Sequence, residues 1–311
     1  MNYMTNKIVA IQGNNPSKLN PTTDTSVFLA HEIQSKNYKI FYYDPKDLSV
    51  VNSKVIAAGF FIEFNYKNKK FFKILKKQKL ELTKCKFILI RQDPPFNLEY
   101  ISATYILDTI KNKVKILNNP TSIRNVSEKL YSVKFQKYMP STIFTQNISE
   151  IRRFFKKYKK VILKPIHSYS GNDIHLLTNF NLKLIQKFIK KHNYIMCQKF
   201  LPRISKGDKR VFLINGKVCG AISRVPKKGS FLSNMSKGAK PINIKLTKIE
   251  NKVSKLIAKD LKKENIFFAG IDFIDQKLNG DINVTSPTGL KSLYDLSGIN
   301  LAKTFWSELK A

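Results

Sequence analysis

The chain opens on a short apolar run, "KIVAIQGN" (residues 7–14). It is followed by "TDTSVFLAHEIQSKN" (23–37), whose apolar positions recur at helical spacing behind Thr/Asp start signals. A second apolar run, "KIFYYD" (39–44), completes a strand-helix-strand alternation that predicts a parallel α/β sheet. "KFILIRQDPPFN" (86–97) repeats the theme: positions 87–90 read as a buried strand, and the two prolines force a loop at its carboxyl end. Such loops are where ligands of these sheets sit. Next come a helix in "EYISATYILDTIKN", a strand in "VKILNNP" and one helix across "SIRNVSEKLYSVKF" (122–135), with residues 120–127 as the best domain boundary.

The second half reads as a helix in "ISEIRRFFKKY", a strand-loop-strand in "KVILKPIHSYSGNDIHLL", a helix over 181–191 and a strand in "YIMCQKFLPRI". "DKRVFLING" and "KVCGAISRVP" share an Asn215-Gly216 turn that predicts a hairpin. A loop (226–242), a long helix (246–264), a hairpin (266–284) turning at Asn279-Gly280, and a helix from about residue 298 complete the pattern. No internal repeat is visible.

With 311 residues, 42% of them hydrophobic, the chain has the material for about two domains. No apolar run reaches the length of a membrane span, and the N-terminus lacks a signal peptide's core and cleavage site. The expectation is a soluble cytoplasmic protein. Cys85, Cys197 and Cys219 show no CxxC or Cys/His spacing, so buried reduced thiols are expected. A net charge of +35 first suggests nucleic acid or an anionic membrane. The lysines, however, are spread through nearly every block, as in "NYKNKKFFKILKKQK" and "LKKENIFF", which points to compositional bias. Neither a specific nucleic acid nor a membrane is expected as partner, and the charge should attract polyanions such as nucleotides more strongly at low salt.

The candidate chemistry centres on "GDINVTSPTG" (280–289). Asp281 and Asn283, two apart on a strand, project from one face, and the hairpin should bring Asp272 across from them. Two carboxylates and an amide oxygen are hard ligands of the sort Mg²⁺ accepts; the alternative is ordinary turn chemistry. Asp272 sharpens the first reading, because a carboxylate on an otherwise apolar strand needs a cation or hydrogen-bond donors. Lys164 ends the run "VIL", and Lys129 follows the domain boundary. Arg210 and Arg224 lie in the hairpin facing the acidic strands, where a planar guanidinium suits phosphate or carboxylate; a surface charge or structural ion pair is the alternative for each.

From end to end, "LNPTTDTS", "FYYDPKDLS", "RQDPPFNLEYISATYILD", "NNPTSIRNVSEKL", "VILKP", "QKFLPRISKGDKRVFLINGKVCGAISRVP", "GIDFI" and "INVTSPTG" make the chain resemble prokaryotic glutathione synthetase, an ATP-grasp ligase family. The resemblance implies an α/β fold: an N-terminal parallel-sheet, substrate-binding domain (1–124) and a two-lobed ATP-grasp domain (125–311), its lid lobe about 125–200 and its catalytic lobe about 201–311. It implies ATP- and Mg²⁺- (or Mn²⁺-) dependent ligation of γ-glutamylcysteine to glycine through an acyl phosphate. By the same resemblance Asp272, Asp281 and Asn283 hold metal, and Lys129 and Lys164 hold ATP phosphates. Arg210 and Arg224 stabilise the acyl phosphate and oxyanion. Gly171, the hinge residues Gln198, Lys199, Phe200 and Leu201, and the pocket acid Asp208 belong to the nucleotide side. Arg91, Asp93, Ser286, Thr288 and Gly289 line the dipeptide side. A homo-oligomer, a tetramer by family resemblance, is also implied, with residues 55–75 as either interface or core.

Departures from the family pattern keep alternatives open. The glycine-rich loop reads "HSYSGND", keeping only Gly171, with Ser168 and Ser170 as substitute hydroxyls and His167 and Tyr169 as either ligand contacts or exposed loop residues. Asp281 stands where glutamate is usual, and Leu232 and Lys240 replace arginines of the mobile loop. A divergent ligase with a related dipeptide or another acceptor is therefore one alternative. A noncatalytic nucleotide- or polyanion-binding protein is the other.

Overall fold

The structure, a computed structural model, describes residues 7–167 and 171–311; Ser168, Tyr169 and Ser170 lie outside the described residues. The described residues form three sheets. The first contains β1 (Ile8–Gln12), β2 (Lys39–Tyr43), β3 (Leu48–Val51), β4 (Lys54–Phe64), β5 (Phe72–Glu81), β6 (Phe87–Ile90) and β7 (Lys115–Leu117). β1 lies parallel to β2 and β6, and β6 parallel to β7. Val9, Ala10 and Ile11 are fully buried because helices cover both faces, as a parallel sheet requires. α1 (Thr25–Gln34), capped by Asp24 onto the Val27 amide, packs on one face, and α2 (Leu98–Asp108), capped by Asn97, covers the other. The carboxyl ends of β1 and β6 put residues 13–24 and 91–97 at the same edge.

The sheet is mixed, not wholly parallel. β4 runs antiparallel to β2, β3 and β5. Residues 55–75 therefore divide between roles: Val55, Ala57, Ile62 and Phe64 are core, while Ile74 and Leu75 are exposed on an outer strand lined by Lys73, Lys76, Lys77 and Lys79. Charges of that kind keep an open edge from pairing with another chain.

The single helix expected over 122–135 is broken. α3 (Pro120–Asn125) stops where Val126 leaves helical geometry, and a 3-10 segment (Leu130–Tyr138) follows with Phe135 non-helical. Burial overrides propensity here: Val126, Tyr131, Phe135 and Met139 are drawn into a core shared with Val211, Ile257 and Ile271. The break places Glu128 beside the segment that holds Ile282, whose amide donates to the Glu128 carbonyl at 2.9 Å.

The second sheet, β8 (Thr142–Thr145), β9 (Val161–Pro165), β10 (His175–Leu177) and β11 (Ile195–Lys199), has the order β10-β9-β11-β8, all antiparallel. α4 (Ile148–Tyr158) and α5 (Leu182–His192) bury Ile151, Phe155, Ile185 and Phe188 against it. The third sheet has the order β14-β13-β12-β15-β16, from β12 (Asp208–Ile214), β13 (Lys217–Val225), β14 (Lys240–Asn243), β15 (Phe268–Ile274) and β16 (Lys277–Asn283). α6 (Lys248–Lys263), opened by a Thr247/Glu250 capping box, covers one face; α7 (Leu290–Ser297) and α8 (Leu301–Glu308) cover the other. β14 lies in the segment expected as loop and pairs with β13.

The last hairpin also differs from expectation. Its turn is Asp275-Gln276, both at positive φ (48° and 62°), not Asn279-Gly280. Gly280 instead sits at φ 85° inside a bulge of β16, where a Cβ would fall 2.5 Å from Met196 Cε. Pairing jumps from Ile271↔Ile282 to Phe273↔Leu278, so Asn279, Gly280 and Asp281 together face Asp272. Among the described residues no helix is long and apolar enough to cross a membrane.

All three cysteines are free. Cys85 and Cys197 are buried, which pushes their thiols up to about 12, while Cys219 is half-buried. A thiol reagent should therefore label one cysteine per native chain and three after denaturation; three rapid labels in the native chain would contradict this packing.

Candidate active site

A cavity of about 500 Å³ opens among the three sheets. Its floor is set by strand register, which opposes Arg210 to Asp272 and Asp208 to Arg224 on adjacent strands. Arg210 donates through Nε and Nη2 to both Asp272 oxygens, the second at 2.8 Å. Arg224 Nη2 reaches the same Asp272 Oδ2 at 2.8 Å, while its Nε and Nη2 also hold both oxygens of Asp208. Burial alone would raise the Asp272 pKa, but the two guanidiniums outweigh it and bring it down to about 2.

Linkage fixes the sign of the consequence. Because the folded pKa lies below the ordinary 3.8, ionised Asp272 stabilises the fold above pH 3.8, and that contribution is lost as pH falls through about 2. Denaturation midpoints of the wild type and Asp272→Asn should differ by a constant amount above that window and converge within it; a gap that widens on acidification would contradict the ion-pair assignment.

A second charged cluster lies beside the first. Asp281 is 3.3 Å from Lys164 Nζ and 3.6 Å from Lys129 Nζ. Lys164 also donates to the Asn279 carbonyl and side-chain oxygens, each at 3.0 Å. Burial opposes charge on Asp281, but the two lysines prevail and hold its carboxyl below the usual range. Asn283, two residues on, lines the same cavity. Each carboxylate expected to bind metal is thus paired with cations expected to bind phosphate.

Among the described residues no three His, Cys, Asp or Glu side chains form a metal cage. The donor set at issue is smaller: two carboxylates and the Asn283 amide, whose oxygen accepts from the Thr285 hydroxyl at a long 3.4 Å. These hard oxygens share one cavity with Lys129, Lys164, Arg210 and Arg224, and that chemistry fits a divalent ion shared with phosphate.

On the side expected to take the nucleotide, Lys199, Phe200 and Leu201 line the cavity together with the apolar Ile162, Ile174 and Leu232. Gln198 also lines it but spends its amide on Thr142 Oγ1 at 3.0 Å. The Lys199 and Phe200 amides are likewise taken, by Ser141 O and Lys160 O, so they are not the hinge groups available to a base. Asp208 lines the cavity, yet its carboxylate is committed to Arg224. Gly171, at φ 71°, lies so close to Asn234 that a Cβ would fall 2.4 Å from its Oδ1; only glycine lets these two loops meet. The Ser168, Tyr169 and Ser170 expectations fall outside the described residues.

On the opposite side, Asp93, Ser286 and Thr288 line the cavity. Arg91 and Gly289 do not: Arg91 sits behind them, donating to Ser26 Oγ and Pro287 O at 3.0 Å each, and the Gly289 amide donates to Thr25 Oγ1 at 3.2 Å. Both hold the substrate-side loops in place.

Sequence reasoning missed Glu128, Asn279 and the 18–24 loop, whose Lys18, Asn20, Thr23 and Asp24 line the cavity. Glu128 stood next to a chosen residue, Asn279 was read as a turn, and "LNPTTDTS" was recognised without a role.

The sequence model of the prokaryotic glutathione synthetase N-terminal domain matches residues 8–124, and that of the family's ATP-grasp domain matches 128–298. The glutathione synthetase of Agrobacterium fabrum is 33% identical over 310 residues, covering 98% of this chain and 96% of that one. That of Buchnera aphidicola is 35% identical over 301 residues, covering 94% and 93%. Among solved structures, D-alanyl-alanine synthetase A of Vibrio cholerae superposes with a TM-score of 0.61 at 14% identity, covering 98% of both chains; that likeness shows the fold alone. With both family domains matched along nearly its whole length and relatives above 30% identical, the chain belongs to the prokaryotic glutathione synthetase family of ATP-grasp ligases.

Proposed function

We propose that the chain joins γ-glutamylcysteine to glycine at the expense of ATP. The carrying observation is the pair of ion clusters, Arg210/Arg224/Asp272 and Lys129/Lys164/Asp281, facing one cavity between the apolar Ile162, Ile174 and Leu232 and the substrate-side loops. ATP lies with its base against those apolar residues and its phosphates on Lys129 and Lys164. Asp272, Asp281 and Asn283 would hold Mg²⁺ or Mn²⁺, which when bound neutralises phosphate charge. The dipeptide lies against Asp93, Ser286 and Thr288.

The chemistry has two steps. A carboxylate oxygen of the dipeptide's cysteine attacks the γ-phosphorus, forming an O–P bond as the bond to ADP breaks. The neutral glycine amine then forms a bond to the carbonyl carbon, the carbon–oxygen bond to phosphate breaks, and phosphate leaves with the electron pair while the proton shed by the nitrogen goes to phosphate or solvent. Arg210 and Arg224 present fixed donors where negative charge accumulates in both steps. Asp208 and Asp272 keep these guanidiniums oriented before substrate arrives.

The same reading takes residues 1–124 as the substrate-binding domain and 125–311 as the ATP-grasp domain, in a cytoplasmic homo-oligomer. It is tested by phosphate release from ATP with γ-glutamylcysteine and a series of small amino acids. Release that requires both dipeptide and glycine supports it; release with another acceptor only, or with none, overturns it.

A further inference from the structure

Most acids that line the large cavity are already committed. Asp208, Asp272 and Asp281 are held by Arg224, Arg210 and the two lysines, and Asp24 caps α1. Asp93 and Glu128 remain. The charges that act on Asp93 are Arg91 and Asp24, on the substrate side. Those that act on Glu128 are Lys129, Asp281, Arg210 and Asp272, so this half-buried carboxylate borders both ion clusters. Burial outweighs Lys129 and holds its carboxyl above the usual range, whereas those of Asp272 and Asp281 lie below it. Of the three, Glu128 is the better proton acceptor.

Glu128 also lines a second cavity of about 20 Å³, whose other polar groups are Ser127, His167 and Thr285. That is room for one water, with partners enough to hold it. The Ser127 hydroxyl is buried without a hydrogen-bond partner among the described residues, and His167 is exposed. The side cavity therefore joins a carboxylate beside the catalytic arginines to an imidazole that meets solvent. Amide formation needs such a route. As the amine bonds to the acyl carbon its nitrogen becomes positive, and it must shed a proton to become an amide. The lysines and arginines that line the large cavity disfavour a further positive charge there.

We propose that Glu128 is the general base of the ligation step. Its carboxylate takes the proton from the nitrogen as the carbon–nitrogen bond forms and the carbon–oxygen bond to phosphate breaks, and a water in the side cavity passes that proton to His167 and out to solvent. The proposal rests on the ligase reading above and names the group that first receives the proton.

Wild type and Glu128→Gln, each checked for ATP binding, are compared by rapid quench with ATP, γ-glutamylcysteine and either glycine or hydroxylamine. The variant should form ADP in the first turnover as fast as wild type and then make the peptide bond roughly 10²-fold more slowly, the contribution of a positioned base. With hydroxylamine, whose protonated nitrogen is acidic enough to give its proton to water unaided, the variant should form hydroxamate at close to the wild-type rate. Equal slowing of ADP formation and ligation would assign Glu128 to the phosphates or the metal and overturn the proposal. Equal slowing with both acceptors would make its role structural, and an unslowed variant would remove it from the reaction; either result also overturns the proposal. A wild type without glycine-dependent turnover would defeat the ligase reading itself, a result separable from an active wild type with an unaffected variant.

Discussion

Asp281→Asn should lower the ligation rate by roughly 10²–10³-fold, the scale at which removal of one preorganised oxyanion-hole donor slows acyl transfer. The substitution keeps the side chain's shape and takes away the charge that faces Lys129 and Lys164. It also removes one of two carboxylates available to a divalent ion. Steady-state kinetics should show the loss mainly in kcat, with half-saturating metal raised, while circular dichroism and ATP binding show a folded chain. Wild-type kcat in this variant would mean that the bulged strand β16 is not part of the chemistry.

The second large effect concerns stability and falls on a residue outside the charged clusters. Asn118 follows β7 and uses every hydrogen-bonding capacity of its side chain on the third sheet and the residues flanking it. Its Nδ2 donates to Phe268 O and Val284 O, both at 2.7 Å, and its Oδ1 accepts from the Phe267 and Phe268 amides at 2.9 and 2.8 Å. Phe268 begins β15 and Val284 follows β16, so one amide joins the N-terminal sheet to both strands of the last hairpin. Asn118→Leu, similar in size, would leave those buried backbone groups unmatched at about 1–3 kcal/mol for an unsatisfied group. A loss of about 4 kcal/mol in denaturant unfolding is expected, with lowered activity in the folded fraction. A change below 1 kcal/mol would mean that water replaces the amide at no cost.

That residue marks where the sequence stopped being legible. "VKILNNP" announced a strand ending at a proline, but nothing local says that Asn118 reaches β15, about 150 positions away in the chain. Patterning worked where one physical signal dominated: the buried runs of β1 and β6, the capped amphipathic helices α4 to α6, and the Asn215-Gly216 turn. It failed where signals competed. Asn279-Gly280 carries strong turn chemistry, yet Asp275-Gln276 makes the turn, because β16 must bulge to set Asp281 across from Asp272. Helical spacing over 122–135 yielded to the burial of Val126 and Phe135 in the core beneath the third sheet.

The site divides in the same way. Asp272 stood out because a carboxylate on an apolar strand demands a partner, and Arg210 because it is an arginine in a lysine-rich chain, whereas Lys164 stood out only through the resemblance. Their partners did not, since the choice of Asp272 for two guanidiniums and of Asp281 for two ammoniums depends on register across separate segments. Asp208 shows the limit most plainly: the resemblance places it with the nucleotide, and the structure commits its carboxylate to Arg224.

The central claim is that this cavity activates a carboxylate by phosphoryl transfer, and oxygen labelling tests it most directly. γ-Glutamylcysteine carrying ¹⁸O in its cysteinyl carboxylate is incubated with ATP, Mg²⁺ and glycine, and the released phosphate is analysed by mass spectrometry. Attack of that carboxylate on the γ-phosphorus, followed by cleavage of the carbon–oxygen bond, predicts phosphate bearing one ¹⁸O for each peptide bond formed. Phosphate free of label would show that water, not the dipeptide, receives the phosphoryl group, and would contradict the account.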